Sequence, residues 1–346
     1  MTSTDVRRSV DSAGMYEVLA GFAEQWRTGR ARALEADLGA LEDAAPRNVL
    51  VAGMGGSAIG GDLLRGLARD RAAVPVAVER SYDLPAWVGP ETLVVLSSYS
   101  GTTEETLSMQ AAAQGRGARL AVLASAGTLL DAARAEGLPH VQLPGGFMPR
   151  AALGYSLTAL LTVAERAGVL ALPTSEWQET AAMLGEQGAA LADASGNEAR
   201  TLAERLAGRP PLLYSGTPML DGVNRRWQTQ FNENAKVLCG GNVFPELNHN
   251  EIMGWEGAGA GAPAVVVLRD ASEDPRVARR IAVTRSLVED RAAAWMEVAS
   301  RGQRPLCRML SLVLLGDWVS YYLALHRGVD PTPIGLITRL KRALAT

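Results

Sequence analysis

The chain has 346 residues, of which 47% are hydrophobic and 21% are charged. It is therefore long enough for two globular domains, and its composition excludes an intrinsically disordered protein. A formal net charge of −3 argues against nucleic acid as a partner. The two cysteines are too few for a disulfide framework or a thiolate metal site, and the N-terminus lacks the apolar core of a signal peptide. We therefore expect a cytoplasmic protein.

Helical segments and short apolar runs alternate along the first half. Residues 1–45 are predicted to form an N-terminal helical segment, and a first α/β subdomain is predicted over 46–170. Alternation of this kind is typical of a parallel sheet with helices on both faces. The predicted strands are Val49–Ala52, Val76–Val78, Leu93–Leu96, Leu120–Leu123 and His140–Gln142.

The second half repeats this order in a degenerate form. A helical connection is predicted over 171–207, and a second subdomain with C-terminal helices over 208–346. Its predicted strands are Leu212–Tyr214, Ala264–Leu268 and Trp295–Val298. The most apolar stretch, 309–325, is interrupted by Gly316-Asp317 and is shorter than the roughly 20 residues that a membrane-spanning helix needs. We expect it to be a buried helix, and we expect no membrane association.

Two loops rich in small and hydroxyl residues follow predicted strands. The first is GMGGSAIGGD (53–62) and the second is SSYSGTTEE (97–105). Both lie at carboxyl ends of parallel strands, where ligands bind in open sheets, and each opens a helix whose free amides favour an anion. Glycines allow close approach and hydroxyls add donors, so the pair predicts a site for one phosphate monoester. The residues expected in it are Gly56, Ser57, Ser98, Ser100 and Thr103.

Three other interpretations stay open at this point. Gly53, Gly55 and Glu79 formally match the dinucleotide fingerprint, which indicates an NAD(P)-dependent Rossmann oxidoreductase. A second possibility is a non-catalytic sugar-phosphate sensor, although no basic patch or DNA-binding segment favours a transcriptional role. In the third, Thr102 or Thr103 caps a helix and the remaining hydroxyls are solvated.

The two loops resemble the phosphosugar-binding loops of sugar isomerase (SIS) domains. The whole chain resembles the bifunctional phosphoglucose/phosphomannose isomerases of that superfamily, most specifically through NENAK (232–236), ELNHNEIMGW (246–255) and DWVSYYLAL (317–325). The resemblance implies two SIS-type subdomains, each a doubly wound, flavodoxin-like parallel sheet flanked by helices, in a homodimer. Thr102 departs from the family loop, which usually has asparagine there.

The resemblance also implies a reaction and roles for particular residues. The reaction interconverts glucose 6-phosphate, mannose 6-phosphate or both with fructose 6-phosphate through a cis-enediol, without cofactor or metal. Glu233 would be the isomerisation base, His249 would take part in ring opening, and Arg150 would bind the substrate. The only lysines among 34 basic residues are Lys236 and Lys341. By resemblance, Lys341 would exchange a proton during ring opening, which an arginine cannot do near neutral pH. Lys236, three residues after Glu233, would be a charge neighbour of Glu233.

Overall fold

The first sheet brings the carboxyl ends of its two central strands together. The computed structural model describes residues 9–193 and 196–344. The five strands of this sheet are all parallel, in the order β2-β1-β3-β4-β5. They are β1 (Asn48–Gly53), β2 (Val76–Glu79), β3 (Thr92–Ser97), β4 (Arg119–Ala124) and β5 (His140–Gln142). The chain order reverses at β1, and Gly53 pairs with Ser97 at the ends of β1 and β3.

Helices cover both faces of this sheet, as the alternating pattern predicts. Apolar side chains of the strands enter two separate buried clusters, one on each face. β3 is buried at all six positions, which explains why its sequence is a continuous apolar run. The helices are α1 (Met15–Ala20), α2 (Phe22–Glu35), α3 (Gly55–Ala68), α4 (Glu104–Gly115), α5 (Thr128–Ala135) and α6 (Leu153–Arg166).

The second sheet has the same reversal with one strand fewer. Its order is β7-β6-β8-β9, again parallel throughout, which confirms the predicted α/β fold with two parallel sheets. The strands are β6 (Pro211–Ser215), β7 (Gly240–Val243), β8 (Ala264–Arg269) and β9 (Ala294–Ala299). The sequence did not predict β7, because its residues Gly-Gly-Asn-Val include three that are depleted in strands.

The remaining helices belong to the second half of the chain. They are α7 (Thr174–Ala192), α8 (Glu198–Leu206), α9 (Asp221–Gln230), α10 (Pro275–Val288), α11 (Pro305–His326) and α12 (Gly335–Leu344). Helix α11 is long and apolar enough to cross a membrane by length and composition, but 94% of that stretch is buried inside the protein. It is a core helix. It packs closely on α9, where a Cβ added to Gly316 would lie 2.2 Å from Trp227 Nε1.

Candidate active site

The first loop requires glycine at three positions of its backbone. A Cβ on Gly53 would lie 2.4 Å from the Ser97 carbonyl oxygen, so β1 and β3 can end side by side only with glycine there. Gly55 has a φ of +50°, which favours glycine at the start of α3. A Cβ on Gly56 would lie 2.9 Å from both Cα and N of Arg150. The first turn of α3 therefore lies directly against the backbone of Arg150.

Hydrogen bonds tie the two loops to each other. The Ser57 hydroxyl accepts a hydrogen bond from the Tyr99 amide at 3.1 Å, and the Ser97 hydroxyl donates to the Ser57 carbonyl at 3.0 Å. Ser57 is buried, and its hydroxyl proton is not used in the Tyr99 bond. The two loops form one rigid edge because each holds the backbone of the other.

The second loop holds buried and exposed hydroxyls side by side. Buried Ser98 donates to Thr103 Oγ1 at 2.9 Å, whereas exposed Ser100 accepts from the Thr102 amide at 3.3 Å. Thr103 occupies the N-cap position of α4 but makes no side-chain capping bond. Gly101 has a φ of +67° in the tight turn between them. The hydroxyls of this loop thus face one another and solvent rather than capping the helix.

Arg150 connects the two loops to the second half of the chain. It lies in a short 3-10 helix (Pro149–Ala151) before α6, and only 3% of its side chain is exposed. Its guanidinium donates to Asn234 Oδ1 at 2.7 Å and to Glu233 Oε2 at 3.2 Å. Burial lowers the pKa of Arg150, and the charge of Glu233 acts in the opposite direction. An arginine remains protonated at neutral pH even when its pKa is lowered, so Arg150 and Glu233 form a charged pair.

Glu233 lies in a π-helical turn, Phe231–Ala235, that follows α9. Single π-turns within helices occur frequently at functional sites. The neighbouring Asn234 is fully buried and donates to Ser320 on α11 at 2.9 Å, while the side chain of Glu233 is 24% exposed. The bond from Asn234 to α11 therefore holds the backbone of the π-turn in place, while the carboxylate of Glu233 stays accessible beside Arg150.

A buried ion pair that the sequence did not reveal supports Arg150. Asp317 on α11 accepts two hydrogen bonds from Arg226, at 2.9 and 2.8 Å, and both side chains are 1% exposed. Arg226 also donates to the Arg150 carbonyl at 2.6 Å. The only signal for this pair in the sequence is an aspartate inside an otherwise apolar helix, because a buried carboxylate needs a partner.

The segment that carries His249 is held by the polar residues on either side of it. Asn248 donates to Thr284 and Asn250 donates to Glu246, each at 2.8 Å. His249 itself is exposed at the end of a 3-10 helix, Glu246–His249. Within the described part of the chain, no hydrogen bond or ion pair joins its ring to Glu233 or Arg150.

A carboxylate behind this segment anchors it to the second sheet. Glu251 accepts from the Tyr214 hydroxyl at 2.5 Å and from Asn242 at 2.7 Å, and Trp255 donates to Tyr214 at 3.1 Å. Burial, and then the hydrogen bond to Glu251, raise the pKa of Tyr214, so the phenol stays protonated. These bonds fix the segment on strands β6 and β7.

The two lysines occupy contrasting positions. Lys341 lies on α12, which has no buried residue, and the structure does not bring it to Glu233. Lys236 follows the π-turn directly, and its ammonium donates to the carbonyls of Glu233 and Pro331, the latter at 3.3 Å. Lys236 is thus a neighbour of Glu233, as expected from the sequence, and it also lies beside Arg150. The ring-opening role that the resemblance implies for Lys341 stays a prediction.

Comparison with known proteins shows the family of this chain. A bifunctional phosphoglucose/phosphomannose isomerase of Caldicellulosiruptor bescii is 39% identical over 302 residues, which cover 86% of this chain and 89% of the relative. One of Aquifex aeolicus is 33% identical and covers 95% of this chain and 98% of the relative. This chain belongs to that family. Residues 195–344 also match the bacterial phospho-glucose isomerase C-terminal SIS domain.

The fold of a solved structure agrees with membership of the phosphoglucose/phosphomannose isomerase family. A glucose-6-phosphate isomerase-like protein of Thermus thermophilus superimposes with a TM-score of 0.59 at 25% identity, covering 92% of this chain and 97% of that one. The oxidoreductase interpretation loses its support, since the relatives that show the family are phosphoglucose/phosphomannose isomerases. Among the described residues, no group of three or more His, Cys, Asp and Glu side chains is arranged to hold a metal ion.

Proposed function

We propose that the protein interconverts glucose 6-phosphate and mannose 6-phosphate with fructose 6-phosphate. The observation that carries the proposal is the position of the Arg150–Glu233 pair against the glycine-rich turn of the phosphate loops, at one edge of the first sheet. Helix N-termini, glycine amides and hydroxyls are suited to a single phosphate group. A base beside that anchor is what an aldose–ketose isomerase requires.

In the proposed reaction, the phosphate is held by Gly56, Ser57, Ser98, Ser100 and Thr103. Glu233 removes the proton from C2 of the open-chain aldose, and the same proton is returned to C1, with a planar cis-enediol between the two steps. Proton transfer by a positioned carboxylate contributes roughly 10²–10⁴-fold to the rate. Because either epimer gives the same enediol, one site serves glucose and mannose substrates.

We further propose that the protein acts as a homodimer in a reducing cytoplasmic compartment. Leu336, Leu340 and Leu344 form an exposed apolar stripe on α12, with exposed fractions of 79%, 59% and 71%. A stripe at this spacing favours burial against another helix or a second copy. Both cysteines are free, which supports the reducing compartment. Closure of α12, or a second copy, is needed for His249 and Lys341 to serve ring opening at Glu233.

The proposed function is tested by one coupled assay on fructose 6-phosphate, read separately for glucose 6-phosphate and mannose 6-phosphate. Wild type should form both products. Glu233→Gln should lower kcat by at least about 100-fold, since it removes the base, while equilibrium binding of fructose 6-phosphate stays measurable. Glu204→Gln, an exposed glutamate on α8, is the matched control and should keep full activity. Wild-type protein that forms neither product would contradict the proposal.

The oligomeric state is tested by light scattering. The wild type should have twice the mass of the 36.6 kDa chain, and Leu340→Asp should shift it towards the monomer. If His249 acts across two copies, a mixture of inactive Glu233→Gln and inactive His249→Ala chains should recover activity. Lys341→Arg chains in place of His249→Ala test Lys341 in the same way. A monomeric wild type would contradict the dimer, although it would leave the isomerase proposal in place.

A further inference from the structure

Lys236 adopts a backbone conformation that lysine rarely adopts. Its φ and ψ are 54° and 42°, and it is the only non-glycine residue with a positive φ within residues 9–193 and 196–344. Glycine is the usual residue in this left-handed position after a helix, because any Cβ is disfavoured there. Such conformations occur preferentially at active sites, where surrounding contacts hold them in place. A lysine in a position that favours glycine therefore points to a use for its side chain.

The side chain of Lys236 reaches back over the turn that carries Glu233. Its ammonium donates to the Glu233 carbonyl and, at 3.3 Å, to the Pro331 carbonyl. Arg150 donates to the same Pro331 carbonyl at 2.8 Å. The two cations therefore share one acceptor, and Arg150 also donates to the Glu233 carboxylate. An ammonium group has three donors, and two of them are used by these carbonyls.

We infer that Lys236 is a catalytic residue that, together with Arg150, binds the substrate oxygen on which negative charge develops. The inference rests on the proposed isomerase function. When Glu233 removes the C2 proton, the C–H electron pair forms the C1–C2 double bond and the carbonyl pair moves onto O1. The hydroxyl proton of O2 then passes to O1, and Glu233 returns its proton to C1, which leaves a ketone at C2. Lys236 gives up no proton in this sequence.

The electrostatics around Lys236 agree with this role. Burial lowers the pKa of its ammonium and so does Arg150, whereas Asp330 and Glu233 act in the opposite direction. The described charged groups facing Lys236 are thus one cation and two carboxylates. A negative charge on O1 would add a third favourable partner that exists only during the reaction. Interactions of this kind raise kcat rather than lower KM.

The test compares Lys236→Met and Lys236→Arg with wild type. Lys236→Met should lower kcat about 100-fold, the size expected when a charge-stabilising donor is removed, with KM within twofold. Lys236→Arg should keep kcat within about fivefold at neutral pH, because the charge is retained. Arg276→Met, which removes an exposed cation on α10, is the control and should be unchanged. Thermal unfolding of each variant shows whether a loss of activity comes from a loss of structure.

The pH profile gives a second, independent result. Wild-type kcat should fall on the alkaline side as Lys236 loses its proton, and in Lys236→Arg this fall should move to higher pH because arginine stays charged. Lys236→Met with kcat within threefold of wild type would overturn the inference, as would an alkaline limb that is identical in Lys236→Arg. An inactive wild type would instead overturn the proposed function. If Lys236→Met does not fold, the arginine profile alone decides.

Discussion

The two sheets share a topology but differ in the residue that follows the strand at the reversal. We call the space beyond the carboxyl ends of the strands at this reversal the crevice of each sheet. In the first sheet Ser98 follows β3 and brings a hydroxyl to the crevice, whereas in the second sheet Asp270 follows β8 and brings a carboxylate. Asp270 accepts from the amide and hydroxyl of Ser272, at 2.9 and 2.5 Å, from the Ser300 hydroxyl at 2.6 Å and from Arg308 at 3.1 Å. The second crevice thus contains its own anion.

This difference explains why one fold gives two unlike crevices. The second crevice is not closed, since a cavity of about 450 Å³ is lined there by Gly216, Thr217, Ser272 and Arg308, among other residues. Ser272, Ser300 and Arg308 already donate to Asp270, however, and a phosphate bound by them would have to lie close to that carboxylate. The topology places ligands at the carboxyl ends of strands. Whether an anion can bind there depends on one side chain, which is Ser98 in the first crevice and Asp270 in the second.

The largest effect is expected when the first crevice is given the residue of the second. Ser98→Asp should raise KM for fructose 6-phosphate more than about 100-fold, because a carboxylate next to a phosphate dianion is strongly repelled at low dielectric. The inhibition constant of inorganic phosphate should rise in parallel. Ser98→Ala is the control and should raise KM less than about tenfold, since it removes one donor without adding charge. A KM unchanged by Ser98→Asp would show that the phosphate binds elsewhere.

The comparison also shows which parts of the molecule could be predicted from the sequence. The strands and the two loops were predictable because strand period, glycine positions and hydroxyl clusters are local features. Strand β7 was missed because its Gly-Gly-Asn sequence has low strand propensity and the strand forms only through pairing with β6. Tertiary context decided that element.

The contacts inside the site were harder to predict than the fold. Arg226 and Asp317 are 91 residues apart in sequence, and no periodic pattern relates them. The role expected for Lys341 came from resemblance. The nearness of Lys236 to Glu233 followed from their spacing of three residues, but the π-turn and the left-handed conformation that direct its side chain have no sequence signature. Spatial neighbours of a catalytic residue are set by packing, and one sequence alone does not record packing.

The next largest effect is expected from breaking the Arg226–Asp317 pair, which supports Arg150 from the second half of the chain. Asp317→Asn should lower the free energy of unfolding by about 3–5 kcal/mol, because it leaves the Arg226 guanidinium buried without a counter-charge. Urea unfolding measures this loss. Glu198→Gln, in the exposed pair with Arg301 at 2.6 Å, is the control and should change stability very little. Equal effects in the two variants would contradict the structural role assigned to Asp317.

A smaller effect is expected from loosening the segment that carries His249. Glu251→Gln replaces an acceptor of the Asn242 amide by a group that also donates, so kcat on fructose 6-phosphate should fall about tenfold. A 5-deoxy analogue cannot close its ring and needs no ring opening, so its kcat should be unchanged. Glu256→Gln, an exposed neighbour, serves as the control. A fall of equal size on both substrates would show that Glu251 acts on the isomerisation step instead.

The smallest effect on activity is expected from the reciprocal exchange, Asp270→Ser in the second crevice. Isomerase kcat and KM should stay within twofold of wild type, because phosphate anchoring is assigned to the first crevice alone. Stability should fall by about 1–3 kcal/mol at neutral pH, since Arg308 and two hydroxyl donors lose their acceptor. The measurement is urea unfolding combined with the fructose 6-phosphate assay.

The dependence of stability on acid pH shows whether Asp270→Ser acts through the lost carboxylate charge or through lost packing. Burial by itself would raise the pKa of Asp270, but the hydrogen bonds from Ser272 and Ser300 and the charge of Arg308 lower it overall. A carboxylate with a lowered pKa in the folded state stabilises the protein above its unfolded pKa of about 3.9, and this stabilisation is lost as pH falls through the folded value. In Asp270→Ser that part of the acid-induced loss should be missing, so the stability curves of variant and wild type should converge below about pH 4. Parallel curves at all pH values would mean that the charge of Asp270 contributes nothing, and that the two crevices differ for another reason.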